Sequence, residues 1–248
     1  MTNRRTGRNA LYGLGYLLLA LLGVALVVTA GDRTLGLLSG LLLLVLAASG
    51  FVLVGFDWWY AGHRPGLTTA TAPSGRPATA FPRSRVPFVM SVVVPVLLAV
   101  WALAGSLLVE HVAARVGLLL LAVVFASPLV AVVRGRVAPG GLYLTPEGVE
   151  QRKEAVSWSL PWDRVAGVVP GEPLALVLNG PPPDQVVRTR WLWRREPTGP
   201  AGVVAVDSRY LAERPEVVAE LVARCIVHPP LRERLGTPEV VAEIRREG

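Results

Sequence analysis

The sequence predicts a four-helix transmembrane unit, made of two helical hairpins, and a separate α+β domain after it. Hydrophobic residues make up 52% of the 248 residues, and charged residues only 17%, against about a quarter in soluble domains. Long apolar runs in the first half of the chain account for this deficit. From Gly140 onward, short alternating segments and then amphipathic stretches replace those runs, which indicates a domain outside the bilayer.

Four apolar runs reach the length of about 20 residues that a helix needs to cross a bilayer. They cover residues 10–30, 35–56, 86–109 and 112–133, and Arg115 is their only charged residue. The first run exceeds the apolar core of a signal peptide, and the second run follows almost at once, so we expect a retained helix. The connections are short, which predicts two antiparallel hairpins.

The arginines predict the orientation of the spans, because basic residues collect on the cytoplasmic side of membrane proteins. Two arginines, Arg33 and Arg115, lie at the hairpin turns, and nine lie on the other side. Those nine are Arg4, Arg5, Arg8, Arg64, Arg76, Arg83, Arg85, Arg134 and Arg136. We therefore expect a cell-membrane protein with both termini in the cytoplasm. Trp58, Trp59 and Tyr60 end the second span at the same face, as in an aromatic belt.

Charge and cysteine content exclude several classes of function. Residues 1–136 carry 11 basic and 3 acidic side chains, whereas residues 137–248 carry 14 basic and 15 acidic ones. The net charges are therefore +8 and −1, so the excess of basic groups reflects membrane topology and does not indicate nucleic-acid binding. A single cysteine, Cys225, excludes a disulfide framework and a multi-cysteine metal site. It lies on an apolar helical stripe, which predicts a core position.

These features divide the chain into five parts. We expect a cytoplasmic tail over residues 1–9, the first hairpin over 10–60, a linker over 61–85, the second hairpin over 86–136, and the α+β domain over 137–248. The linker contains four prolines among Thr, Ala, Ser and Gly, a composition that predicts disorder. In the second span, Gly36 and Gly40 form a GxxxG step, which favours close helix packing within the unit or self-association.

The last part of the chain predicts about six short strands followed by helices. The strands expected are residues 142–144, 149–152, 156–160, 174–178, 186–193 and 203–206, with a turn over 145–148 and a connection through Trp162 and Val165. Pro215 and Glu216 suit the first turn of a helix, which Pro229 and Pro230 end. Residues 231–235 form a short turn closed by Gly236, and residues 237–239 begin a final helix.

Two stretches carry a resemblance to a known family. The segment GLYLTPEGV (residues 141–149), followed by SLPWDRV (159–165), resembles the opening of a bacterial pleckstrin-homology-like (PH-like) domain. The segments HPPLR (228–232) and LGTP (235–238) are similar to the tail of actinobacterial membrane proteins with this domain. The resemblance implies a small barrel or sheet with C-terminal helices. The β-hairpin that turns at residues 145–148 carries Glu147 and Glu150 in place of the basic residues that phosphoinositide-binding relatives usually have there.

The sequence contains no catalytic motif, and we expect a protein that is not an enzyme and that has no metal or cofactor. The three histidines, His63, His111 and His228, are far apart and lack metal-ligand spacing. No P-loop, dinucleotide fingerprint or nucleophile elbow is present. The apolar runs hold no acidic residue or lysine, although intramembrane enzymes and ion-coupled transporters usually place ionisable groups there.

One cluster combines basic and aromatic side chains within eight residues. Its members are Arg188, Arg190, Trp191, Trp193, Arg194 and Arg195. Tryptophan at headgroup depth and arginine beside anionic lipid would form a membrane-contact strip. The alternatives are an ordinary strand, with tryptophans in the core and arginines in solvent, and a contact with a protein partner.

Taken together, these patterns predict an integral membrane protein with a cytoplasmic PH-like binding or scaffold module. Its expected partners are the lipid bilayer, anionic lipids and a membrane protein. The alternative is an accessory subunit of a membrane enzyme or transporter, in which the helices would pack against a larger partner.

Overall fold

A computed structural model describes residues 2–30, 33–188 and 202–247, with only the backbone described for residues 2–8 and 247. The chain divides into two compact units. The first consists of Met1–Gly62 and Val86–Arg134, and the second of His63–Arg85 and Gly135–Gly248. Each unit is therefore built from two separate stretches of sequence.

Four long helices make up the first unit, as predicted. They are α1 (Thr2–Thr29), α2 (Thr34–Gly62), α3 (Arg85–Leu108) and α4 (Val112–Val133). All four are long and apolar enough to cross a membrane. Helix α2 continues past the apolar run, so Trp58, Trp59 and Tyr60 belong to its last turns. Trp58 and Trp59 are exposed, whereas Tyr60 is buried.

Glycines bring α1 and α2 together. A Cβ atom on Gly40 would lie 2.6 Å from Val27 Cγ2 and 2.8 Å from the carbonyl oxygen of Gly23. A Cβ atom on Gly50 would lie 2.2 Å from the ring of Tyr16. Gly40 therefore serves packing within the unit, which is one of the two uses that the GxxxG step predicts.

Polar contacts connect α3 with its neighbours. Trp101 Nε1 donates a hydrogen bond to Ser39 Oγ on α2 over 3.4 Å. Arg115 Nε, on α4, donates to the carbonyl oxygen of Ser106 over 3.0 Å. This bond satisfies one of the carbonyl groups that the end of a helix leaves without a partner. Arg115, the charged residue of the fourth apolar run, thus caps the C-terminal end of α3.

Two antiparallel sheets form the second unit. The strands are β1 (Thr68–Thr71), β2 (Pro77–Pro82), β3 (Ala138–Leu144), β4 (Gly148–Glu154), β5 (Val156–Pro161), β6 (Val165–Val169), β7 (Leu174–Leu178), β8 (Val186–Val187) and β9 (Val203–Val206). The first sheet has the order β1-β2-β3-β4-β5-β8, and the second has the order β6-β7-β9. Among the described residues the two sheets share no strand pairing, so the predicted small barrel is not closed.

The prediction that residues 61–85 are disordered is wrong. This segment forms the β1–β2 hairpin, and β2 pairs with β3 from Thr79↔Leu144 to Pro82↔Gly141. Phe81 is fully buried. The two prolines of β2 stand at its first and last positions, where a strand tolerates them. Residues 61–85 contain few large apolar side chains. The β1–β2 hairpin is nevertheless ordered because it packs against β3, a strand far along the chain.

Three helices follow the sheets and cover the core. They are α5 (Pro215–Val227), α6 (Pro229–Glu233) and α7 (Pro238–Glu247). Val218, Val222 and Cys225 of α5 are fully buried with residues of both sheets, which confirms the predicted apolar stripe. Gly236 adopts a positive φ of 86° between α6 and α7, and its N–H donates to Thr79 Oγ1 over 3.0 Å.

Local predictions in this unit hold for β7 and β9 and fail for β6. The sequence predicts a simple connection after Trp162, but residues 162–164 form a 3₁₀ turn and Val165–Val169 form β6. Trp162 is buried, and its Nε1 donates to the carbonyl oxygen of Thr145 over 2.9 Å. The predicted turn over residues 145–148 is closed by the Thr145 N–H, which donates to the Gly148 carbonyl oxygen over 2.9 Å.

Candidate membrane-contact site

The predicted Arg/Trp strip is described only at its first residue. Arg188 directly follows β8, is exposed, and donates its backbone N–H to the carbonyl oxygen of Ala155 over 2.9 Å. The strand predicted over residues 186–193 is described only as far as Val187. The other predicted strip residues, Arg190, Trp191, Trp193, Arg194 and Arg195, lie outside the described residues.

One end of the six-stranded sheet carries all the connections to the membrane-competent helices. Five residues form a single row across β2, β3, β4, β5 and β8 at this end. They are Pro82, Gly141, Arg152, Ser157 and Val186. The chain leaves β2 for α3 here, reaches β3 from α4 here, and enters β1 from α2 opposite Ala80. We call this row and the residues next to it the tethered end.

Basic side chains gather at the tethered end. Arg152 belongs to the row itself, Lys153 follows it on β4, and Arg83 follows Pro82. Arg188 lies two residues beyond Val186. Arg152 and Lys153 lie at the end of β4, far from the 145–148 turn, and the strand register brings them beside Arg188 and Arg83. In the sequence Arg152 is 36 residues from Arg188 and 69 residues from Arg83, so no local pattern reveals this grouping.

Two acidic side chains of the β3–β4 hairpin, Glu147 and Glu150, lie toward the opposite end of the sheet from Arg152, whereas Glu154 ends β4 at the tethered end. Glu147 precedes β4 at the 145–148 turn and forms an ion pair with Arg76. Glu150 is buried, and its Oε2 accepts a hydrogen bond from the backbone N–H of Ser74 over 3.1 Å. Both carboxylates are therefore engaged by the β1–β2 hairpin.

Asp207 stands between two of the basic residues. Its Oδ2 lies 2.7 Å from Arg83 Nη2 and 3.4 Å from Lys153 Nζ. Partial burial raises the pKa of the Asp207 carboxyl, but the charges of Arg83 and Lys153 and a backbone hydrogen bond from Arg209 outweigh it, so the net pKa is lowered. The carboxylate stays ionised and links β2, β4 and the end of β9.

The loop after β9 contacts the residues that precede β1 and the residues that follow β2. Arg64 donates through Nη1 to the carbonyl oxygens of Leu211, at 3.0 Å, and Glu213. Ser84 N–H donates to the carbonyl oxygen of Tyr210 over 2.8 Å. The guanidinium carbons of Arg83 and Arg209 lie 5.7 Å and 5.1 Å from the centre of the Tyr210 ring, within cation–π range. The loop is fixed at the tethered end by these contacts.

Tyr143 and Arg152 lie on the face of the sheet that points away from the core. Burial raises the pKa of the Tyr143 hydroxyl, and the charge of Arg152 offsets this in part. Burial also lowers the pKa of Arg152, and the positive charge of Arg188 lowers it further. Tyr143 is therefore a neutral hydroxyl donor at pH 7 near Arg152, whose guanidinium group is repelled by that of Arg188.

The remaining candidate residues fall outside this site. Cys225 is fully buried, and desolvation raises its pKa to about 12 despite Arg232 and Arg224 nearby, so the predicted core position is confirmed. His228 lies at the junction of α5 and α6. Within the part of the chain that the structure describes, no three His, Cys, Asp or Glu side chains are grouped as metal ligands.

Comparison with family models, with curated proteins and with solved structures finds no match to this chain.

Proposed function

We propose that this protein is a non-catalytic membrane module of the bacterial cell membrane, in which a PH-like domain on the cytoplasmic side binds the anionic membrane surface and scaffolds partners there. The chain's four apolar helices provide the anchor. The pleckstrin-homology-like resemblance of residues 141–149 and 159–165 supports the binding role. The cytoplasmic placement is supported by the nine arginines on that side.

The observation that carries this proposal is the insertion of the α3–α4 hairpin into the sheet. Because β2 precedes α3 and pairs with β3, which follows α4, both ends of that hairpin lie on one side of any bilayer it crosses. The connections from α2 to β1, from β2 to α3 and from α4 to β3 contain only a few residues each. Three short tethers suit a domain that works at the membrane surface.

Charge placement supports an anionic surface as the ligand. The tethered end carries four basic residues, Arg83, Arg152, Lys153 and Arg188, and two acidic ones, Asp207 and Glu154, so basic groups are in excess there, and Glu147 lies toward the other end. Each basic residue near an anionic leaflet contributes about 1 kcal/mol, reduced by salt screening. Arg190, Arg194 and Arg195 of the strip follow Arg188 in sequence and would extend the same contact.

The test compares the lipids and proteins that co-purify with the full-length protein in mild detergent from native membranes. We expect anionic lipids to be enriched over the bulk membrane, and a variant with Arg190, Arg194 and Arg195 changed to Gln to lose part of that enrichment. A matched control changes Arg76, Arg214 and Arg246 to Gln, which removes the same charge elsewhere in the domain.

The same experiment separates this proposal from the accessory-subunit alternative. A membrane enzyme or transporter recovered in constant proportion to the protein, without enrichment of anionic lipid, would assign the subunit role. Equal lipid enrichment in the strip variant and the control would show that the strip arginines do not contribute to the binding of anionic lipid.

A further inference from the structure

We propose that Arg152 and Arg188 hold a phosphate group between them on the outer face of the six-stranded sheet. This inference rests on the proposed function, because it names the chemical group that the tethered end would recognise at the membrane surface. The outer face is the side of the sheet that carries Tyr143, Arg152 and Ser157.

The strand register leaves space around Arg152. Its neighbour on β3 is Gly141, which has no side chain, and its neighbour on β5 is Ser157, which has a small one. Ser157 pairs in turn with Val186 on β8, so Arg152 and Val186 are two strands apart, about 9.5 Å. Arg188 lies two residues further along. Arg152 and Arg188 therefore attach on opposite sides of β5, which carries the small side chain of Ser157.

The hydrogen-bonding capacity of Arg152 is not satisfied. Its Nε is enclosed by the protein and has no hydrogen-bond partner among the described residues. Within the same residues, neither Arg152 nor Arg188 forms an ion pair with a carboxylate. Glu150, two residues before Arg152 on the same face, is occupied by the N–H of Ser74. An enclosed guanidinium N–H without an acceptor costs free energy that a bound anion would recover.

The electrostatics favour an anion at this point. Repulsion between Arg152 and Arg188 contributes to the lowered pKa of Arg152, and an anion between the two would reverse that effect. Two guanidinium forks match the several acceptor oxygens of a phosphate group better than the two oxygens of a carboxylate.

The phosphate could be carried by an anionic lipid headgroup or by a free phosphate ion, and calorimetry distinguishes these sources. The full-length protein in neutral maltoside micelles is titrated with short-chain phosphatidic acid, with short-chain phosphatidylcholine and with inorganic phosphate. We expect binding of phosphatidic acid, and a loss of about tenfold or more in affinity for Arg152→Gln and for Arg188→Gln. Arg152→Lys should give an intermediate loss, because it keeps the charge and lacks the fork.

Arg76→Gln is the matched control, since it removes one charge toward the other end of the sheet and should leave the affinity unchanged. A thermal melt of each variant verifies folding, and the exposed Arg188 keeps the test valid if Arg152→Gln is unstable. Similar affinity for inorganic phosphate and phosphatidic acid would support the phosphate site and assign it to free phosphate. Unchanged affinity in both Gln variants, or equal binding of phosphatidylcholine, would overturn the inference.

Failure of this inference differs from failure of the proposed function. If Arg152→Gln binds phosphatidic acid like the wild type while the full-length protein still enriches anionic lipid from membranes, the phosphate site is wrong and the membrane role stands. If the wild type enriches no anionic lipid, the proposed function is wrong whatever the calorimetry shows.

Discussion

The backbone N–H of Ser74 donates a hydrogen bond to Glu150 Oε2 over 3.1 Å, and this bond joins two parts of the chain separated by the α3–α4 hairpin. Ser74 lies in the turn of the β1–β2 hairpin, and Glu150 lies on β4. The soluble domain therefore depends on a segment that precedes the third apolar helix. Its true extent is residues 63–85 together with residues 135–248.

The first prediction concerns that extent. Residues 63–84 joined to 136–248 by a flexible loop of about five residues should fold cooperatively, because the Arg83 N–H donates to Gly140 O over 2.9 Å and so the ends are close. Residues 137–248 alone lack β2 and should not fold cooperatively. A thermal melt and the alkylation rate of Cys225, which is buried with a pKa of about 12, measure this. Slow alkylation and a sharp melt in the shorter fragment would contradict the prediction.

The second prediction concerns helix packing. Gly40→Val should weaken the α1–α2 contact, since a Cβ there would meet Val27 Cγ2 at 2.6 Å and the Gly23 carbonyl oxygen at 2.8 Å. Overpacking of this kind costs about 1–3 kcal/mol. Gly55→Val is the matched control on the same helix, where nothing lies within 4 Å of an added Cβ. The midpoint of thermal unfolding in mild detergent should fall for Gly40→Val only.

The third prediction concerns pH. The folded pKa of Asp207 is lowered, so its contribution to stability is present above the unfolded value of about 3.9 and is lost as the pH falls through the lowered pKa. Asp207→Asn should reduce the free energy of unfolding of the domain at pH 7 by about 1 kcal/mol. Denaturant melts at pH 7 and at steps below pH 4 measure it. A difference from wild type that does not shrink in acid would contradict this assignment.

The fourth prediction concerns topology. A reporter active only outside the cytoplasm should be active when fused after residue 31 and inactive after residue 248, if the arginine distribution sets the orientation. A second insertion between β1 and β2, at Gly75, should behave like the C-terminal fusion, because β2 pairs with β3. Activity at Gly75 but not after residue 248 would be incompatible with the sheet.

The elements that the sequence predicts well are those whose pattern is local. The four apolar helices, β7, β9 and the apolar stripe of α5 each have a hydrophobic pattern that is recognisable within about ten to twenty residues. Leu174–Leu178, for example, is continuously apolar and lies between turn residues. Periodicity is enough in these cases, since burial of each residue follows from its own neighbours in sequence.

The β1–β2 hairpin and the tethered end could not be predicted in this way. Phe81 is the one large apolar residue of β2, and it is buried by pairing with Leu142, which lies beyond two membrane-competent helices. Likewise, Arg152 neighbours Arg188 only because β5 lies between β4 and β8. Contacts of such long range leave no periodic signal, and composition alone then favours disorder.

The insertion of α3–α4 between β2 and β3 also sets an order of events during synthesis. At a translation rate of about 5–20 residues per second, the ribosome needs roughly 3–11 s to pass from Pro82 to Ala138, and the β1–β2 hairpin has no partner strand during that time. If only one of the two helices entered the bilayer, β2 and β3 would emerge on opposite sides and could never pair. Completion of the sheet therefore requires that α3 and α4 enter the bilayer together, and a chain in which only one of them did so would leave the edge of β2 unpaired.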